Sequence, residues 1–120
     1  MQAVLLISHG SHSPRTKQEV SDLVQVLKRS CQVPILEYAF LEIEKPSIPD
    51  GIDIYVKKGA RTCLILLNFL NSGRHVDEDI PQIIDQAKLK YPLIRFQVSP
   101  PVGQHPRITE LFLDLLKQIN

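Results

Sequence analysis

Residues Phe69–Pro81 read FLNSGRHVDEDIP, and the fold hangs on how they are read. Before them, Leu64–Leu70 is apolar apart from Asn68, the pattern of a strand covered on both faces. After them, Val76–Lys90 repeats apolar residues at helical spacing and predicts a helix. Between the two, Gly73 marks a turn, and His75 is delivered to the mouth of the helix. Asp77, Glu78 and Asp79 fall where a helix N-terminus is positive, so they read chiefly as a capping device. Pro81 is tolerated in a first turn. His75 has no such structural duty. In open parallel α/β sheets ligands bind beyond the carboxyl ends of the strands, which is where this link falls. His75 is therefore either a solvated loop side chain or a ligand, and a partner would decide between them.

Outward from this stretch the chain alternates strand and helix patterns. Ala3–Ser8 predicts a strand, His9–Pro14 a Gly/Ser turn, and Lys17–Arg29 a helix with Val20, Leu23, Val24 and Leu27 on one face. Val33–Leu41 predicts a second strand with Pro34 among its first residues, and Glu42 stands just past its end. Pro46 and Pro49 frame a turn and a helix start. Asp50–Gly59 then supplies a short helix with Ile52, Tyr55 and Val56 inward, ended by Gly59. Cys63–Leu67 forms the third strand and Leu93–Val98 the fourth. Ser99–Pro106 is a Pro/Gly loop, and Arg107–Gln118 is an amphipathic closing helix carrying Ile108, Leu111, Phe112, Leu115 and Leu116. Such alternation predicts an α/β fold, a four-stranded and mostly parallel sheet with right-handed crossovers and helices on both faces. The post-strand loops then share one edge, which gathers His9, Glu42, His75 and His105. Each of these alone is an ordinary loop residue. Together, two imidazoles and a carboxylate suit a divalent transition metal.

Composition narrows the function classes. With 120 residues the expectation is one domain over 1–120, and 14 basic against 13 acidic side chains leave no nucleic-acid footprint. Cys31 and Cys63 lack metal-type spacing and read as reduced thiols of a cytoplasmic protein. Met1 leads straight into Ala3–Ile7 without the charged flank of a signal peptide, and no run reaches membrane-spanning length, so a soluble protein without a membrane partner is expected. The Gly-rich dinucleotide fingerprint is absent, and no organic cofactor is implied.

Four segments carry a resemblance: LLISHGSHSP (Leu5–Pro14), AFLEIEKPSI (Ala39–Ile48), FLNSGRHVDEDIP and PPVGQHP (Pro100–Pro106). A histidine-glycine pair after a strand says little alone, but the four in this order are specific. The sequence resembles the small chelatases of the CbiX/SirB type, which insert a divalent metal into sirohydrochlorin on the way to cobalamin, sirohaem or coenzyme F430. The resemblance implies a flavodoxin-like chelatase domain in which His9 and His75 hold or deliver the metal and Glu42 joins them. It also implies a homodimer, because longer relatives place two such domains around one cleft and this chain is similar to one half. Ser8 stands where the family usually has glycine and His12 where it often has arginine, and the two cysteines do not match the iron–sulfur pair of plant-type relatives.

The chemistry so implied makes the metal ion, cobalt, nickel or iron, a substrate. Sirohydrochlorin must lose two pyrrole N–H protons while the ion exchanges protein ligands for ring nitrogens, and a neutral imidazole can both release metal and accept a proton. The macrocycle is flat and ringed with carboxylates. Arg15, Arg74 and Arg107, each in or beside a site loop, are candidates to hold these carboxylates in bidentate fashion. Ser11 and His105 in the same loops are further substrate-binding candidates. All five are equally readable as surface side chains. Two other classes compete: a metal-binding protein or metallochaperone using the same ligands, and a histidine-phosphatase-like phosphoryl-transfer enzyme, against which Ser8 rather than arginine precedes His9.

Overall fold

Ala3–Ile7 are all buried because the first strand lies in the interior of the sheet, with a parallel neighbour on each side. The structure, a computed structural model, describes residues 1–119. Its strands are β1 (Gln2–Ser8), β2 (Ile35–Phe40), β3 (Thr62–Leu67) and β4 (Arg95–Pro101), and its helices are α1 (Pro14–Ser30), α2 (Ile48–Lys57), α3 (Ile80–Lys90) and α4 (Ile108–Lys117). The strands pair in the order β2-β1-β3-β4, every pair parallel. The expected mostly parallel sheet is thus parallel throughout. Chain order reverses between β1 and β3, the switch point of a flavodoxin-like sheet, where the loops leaving the two strands diverge to opposite faces.

Two apolar layers hold the sheet. On one face α2 and α3 cover Ala3, Leu5, Ile7, Ala39, Cys63, Ile65 and Leu67 with Ile48, Ile52, Tyr55, Ile80 and Ile84. On the other, α1 packs Val20 and Val24 over Val4, Leu6, Leu36 and Phe40. A fully buried aliphatic or aromatic side chain of this kind contributes about 1.5–3 kcal/mol. Burial pushes the Cys63 thiol up to about 11, which leaves it protonated and inert, while Cys31 lies exposed and both are free.

Several expectations need correction. β3 is fully covered on one face only. Leu64 and Leu66 on the α1 side are half-buried, because α1 alone guards that face and stops short of β3. Pro34 lies before β2, not in it, as its missing N–H cannot enter a ladder. The fourth strand runs Arg95–Pro101 instead of Leu93–Val98. Leu93 is 82% exposed, and an edge strand can absorb Pro100 and Pro101, where the β3 register also shifts. The segment after Gly73 is not one α-helix either: a π-helical turn, His75–Asp79, precedes α3. The closing helix forms with its apolar stripe, yet no α4 side chain is buried.

Candidate metal centre

Three of the four loop residues converge. The chain leaving β1 places His9 at the loop edge, and the backbone there is stitched to both neighbouring strands. Leu41 and Glu42 donate their N–H groups to the carbonyls of Ser8 and His9, at 2.9 and 3.0 Å, and Asn68 donates its own to Ile7 at 2.8 Å. The Asn68 side-chain amide donates to Ser8 Oγ at 2.9 Å. Ser8 therefore has a structural use: it is the buried hydroxyl that joins the ends of β1 and β3.

Gly10 is where the first and second loops touch. Its φ is +104°, and a Cβ built there would fall 1.9 Å from the Glu42 carbonyl oxygen. Only glycine allows this approach. Beyond Glu42 the chain doubles back, with Glu44 N–H donating to the Glu42 carbonyl at 2.8 Å and Ile43 held at φ 71°. A β-branched residue in this region costs about 1–3 kcal/mol, a strain carried one residue from the candidate ligand.

The ligand geometry follows. One ligand atom each from His9, Glu42 and His75 lies within 4.8 Å of the others. His9 Nε2 is 2.6 Å from Glu42 Oε1. The His9 and His75 rings stand 4.9 Å apart between centroids, tilted by 41°. His75 enters from the first position of the π-helical turn, whose i to i+5 bonding is recurrent at functional sites. His75 Nδ1 meets Asp79 Oδ2 at 2.6 Å. With Nδ1 so engaged, Nε2 is the ring nitrogen free to ligate. Asp79, read above as part of a cap, makes no side-chain cap bond and serves His75 instead. Its i, i+4 spacing from His75 was the signal that could have revealed the pairing.

The remaining candidates are dispersed. His105 is outside the cluster, and its Nδ1 accepts from Arg107 N–H at 3.0 Å, tightening the turn before α4. Arg74 faces Glu78 at 3.6 Å on the solvent side. Arg15 is exposed in the first turn of α1. Ser11 is tied into its loop, its N–H donating to Glu44 Oε1 at 2.9 Å and its Oγ accepting from Ser13 N–H at 3.0 Å. It also lines a hollow of about 620 Å³ between the first and second loops, along with His12, Tyr38 and Ile43. The cations in that hollow are Lys17 and Lys45, not the three arginines.

The family model for CbiX matches residues 3–119. The chain belongs to the CbiX family. This CbiX chain is 30% identical over 118 residues to the sirohydrochlorin ferrochelatase of Bacillus subtilis, covering 98% of itself and 45% of that protein. It is 30% identical to the sirohydrochlorin cobaltochelatase of Sulfolobus acidocaldarius, with 98% and 89% covered. The solved sirohydrochlorin chelatase SirB from Bacillus subtilis subspecies spizizenii, in complex with cobalt, superposes with a TM-score of 0.90 at 30% identity, over 98% of this chain and 50% of that one. The CbiX chain spans less than half the length of several curated relatives it matches. Among the described residues, no helix is long and apolar enough to cross a membrane.

Proposed function

We propose that this chain is a metal chelatase that inserts divalent cobalt, nickel or iron into sirohydrochlorin, acting in the cytoplasm as a single chelatase domain paired with a second copy. What carries the reading is the convergence of His9, Glu42 and His75 at the loop edge of a CbiX-family fold. The donor set suits the chemistry, since two imidazoles and one carboxylate bind a first-row divalent ion and leave coordination positions for ring nitrogens.

In this reading the His9–Glu42 contact is the resting state of a ligand pair. Ligands at about 2.0–2.2 Å from one ion sit about 3 Å or more apart, so an entering ion displaces the shared proton and spreads Nε2 and Oε1 slightly. Asp79 engages His75 Nδ1, which leaves Nε2 as the nitrogen offered to the ion. As the ion passes to the macrocycle, two pyrrole N–H protons leave, and the imidazoles freed of metal accept them and hand them to water. Charge balances, with two positive charges entering the ring and two leaving. The macrocycle's carboxylates are assigned to Lys17 and Lys45 in the hollow beside Ser11, and Arg15, Arg74, His105 and Arg107, which lie outside that hollow, are the further candidates for them. No organic cofactor takes part.

The experiment is direct: incubate the 120-residue chain with sirohydrochlorin and cobalt and follow the tetrapyrrole absorption. Insertion several-fold or more above the protein-free rate is expected. A chain that binds cobalt without accelerating insertion would overturn the enzyme reading in favour of a metal carrier.

A further inference from the structure

The chain carries a net charge of only +1, but it separates that charge along the strand axis. The strands are parallel and α1, α2 and α3 run back against them, so the strand starts and the ends of these helices share the edge opposite the metal centre. Glu42, Glu44, Asp77, Glu78 and Asp79 follow the strands, at the loop edge. The far edge instead carries Lys57 and Lys58 at the end of α2, Lys88 and Lys90 at the end of α3, and Arg61 and Arg95 at the starts of β3 and β4. Its backbone is tied together, with Arg61 N–H donating to the Met1 carbonyl at 2.8 Å and Arg95 N–H to the Arg61 carbonyl at 3.0 Å. Helix dipoles explain only part of this, since a helix C-terminus presents about half a negative charge. Asp53 is already engaged by Lys90 Nζ at 3.1 Å and Tyr91 Oη at 2.6 Å. Among the described residues Lys57, Lys58, Arg61, Lys88 and Arg95 are exposed and enter no ion pair. Beside them the end of α2 and the turn from α3 to β4 enclose a recess of about 340 Å³. Val56, Ala60, Pro92 and Ile94 give it an apolar lining, and Arg61 and Lys90 stand at it. Leu93, which also lines it, is 82% exposed.

We propose that this far edge docks an acidic segment of a partner protein, which seats one apolar side chain in the recess among Val56, Ala60 and Ile94 while its carboxylates meet Arg61 and the lysines at the ends of α2 and α3. The unpaired cations select an acidic partner, and the recess selects a protein. A lipid surface offers no side chain to enter a hollow, and a nucleic-acid backbone would use the cations and leave the apolar lining wet. A second copy offering its own acidic loop edge would dock head to tail, an arrangement that does not close on itself and that covers the metal centre. The length of a strand, about 20 Å, separates the recess from His9, Glu42 and His75. That distance exceeds the Debye length of about 8 Å at physiological salt, so a docked segment leaves the metal centre open and its charges undisturbed. The surface therefore fits a tether, holding a partner beside the protein while the loop edge stays accessible. This holds whether or not the proposed chelatase chemistry does.

The probe is a fluorescein-labelled synthetic peptide of glutamate and aspartate around one central phenylalanine, titrated with the full chain and read by fluorescence anisotropy. Saturable binding that weakens as salt is raised is expected. The same peptide with serine in place of phenylalanine should bind at least fivefold more weakly, because the recess is then left empty. Arg61→Glu should weaken the phenylalanine peptide at least fivefold as well, with cobalt affinity unchanged and circular dichroism as the control for folding. Should Arg61→Glu lose helical signal, Arg61→Gln replaces it, with at least a twofold loss expected. Absence of saturable binding overturns the proposal. Equal binding of the two peptides overturns the recess as a pocket, and an Arg61 variant that binds like wild type places the contact elsewhere and overturns it too. Vesicles of phosphatidylcholine with one-third phosphatidylserine, and a short duplex DNA, are run in competition at matched charge. If either displaces the peptide more effectively than unlabelled peptide does, the edge is a membrane or nucleic-acid surface and the proposal falls.

Discussion

Asp79 Oδ2 lies 2.6 Å from His75 Nδ1, one helical turn along the chain, and the π-helical turn His75–Asp79 is what stacks the two. A carboxylate on the far nitrogen sets the tautomer of a ligating imidazole and makes the near nitrogen a better donor. Replacing Asp79 by alanine should lower cobalt affinity about 10- to 100-fold, with little change in folded-state circular dichroism because the side chain is part-exposed. Titration calorimetry with cobalt is the measurement. An affinity within twofold of wild type would make Asp79 a surface residue that merely happens to touch His75.

His9 and His75 act on one ion in the proposed mechanism, so their losses should not add. His9→Ala and His75→Ala should each remove most cobalt insertion, and the double variant should be hardly worse than either. Glu42→Gln keeps the shape but removes the charge, and it should weaken cobalt binding while leaving the thermal midpoint within a few degrees. Fully additive losses in the double variant would mean two separate roles.

How far the sequence can be read here depends on the kind of interaction. The parallel sheet and the meeting of His9, Glu42 and His75 were legible because both follow from strand order, and apolar runs such as Ala3–Ile7 mark interior strands regardless of detail. The pairing of His75 with Asp79 was hidden by an acidic run that suits a helix N-terminus equally well. The position of β4 was misjudged because Leu93 and Ile94 look like strand residues, whereas an edge strand asks little of its sequence and accepted Pro100 and Pro101. α4 shows the deeper limit. Its stripe announces that Leu111, Phe112, Leu115 and Leu116 face something apolar, and periodicity is silent on whether that surface belongs to the same chain.

Gly10 and Gly59 separate two reasons for glycine. Both have left-handed φ, +104° and +96°, but a Cβ at Gly59 would meet nothing within 4 Å, while at Gly10 it would strike the Glu42 carbonyl at 1.9 Å. Gly59→Ala should therefore lose only the backbone preference, about 1–2 kcal/mol, with cobalt affinity unchanged. Gly10→Ala should lose more than this and should also weaken cobalt binding, because the loop bearing Glu42 has to move away from His9. Denaturant melts and cobalt titrations on the two variants measure both effects. Equal stability losses with equal affinities would show that the loop contact at Gly10 does not position the ligand.

Asp53 ties α2 to the end of α3. Its Oδ1 accepts from Tyr91 Oη at 2.6 Å and from Lys90 Nζ at 3.1 Å. The Tyr91 hydrogen bond, more than burial opposes it or Lys90 assists, holds the Asp53 carboxyl below the usual carboxylate range, and the same bond raises the Tyr91 phenol. A carboxylate depressed in the folded state contributes stability that is complete above its unfolded value, about 3.9, and is lost as pH falls through the folded value. Between pH 7 and 5 the contribution should be flat, and below about pH 4 the wild type should lose stability faster than Asp53→Asn, which has no charge to neutralise. Urea midpoints of the two proteins at matched pH values measure this, and the gap between them should narrow steadily on acidification. A gap that stays constant down to pH 3 would mean that the Asp53 carboxylate contributes by shape alone.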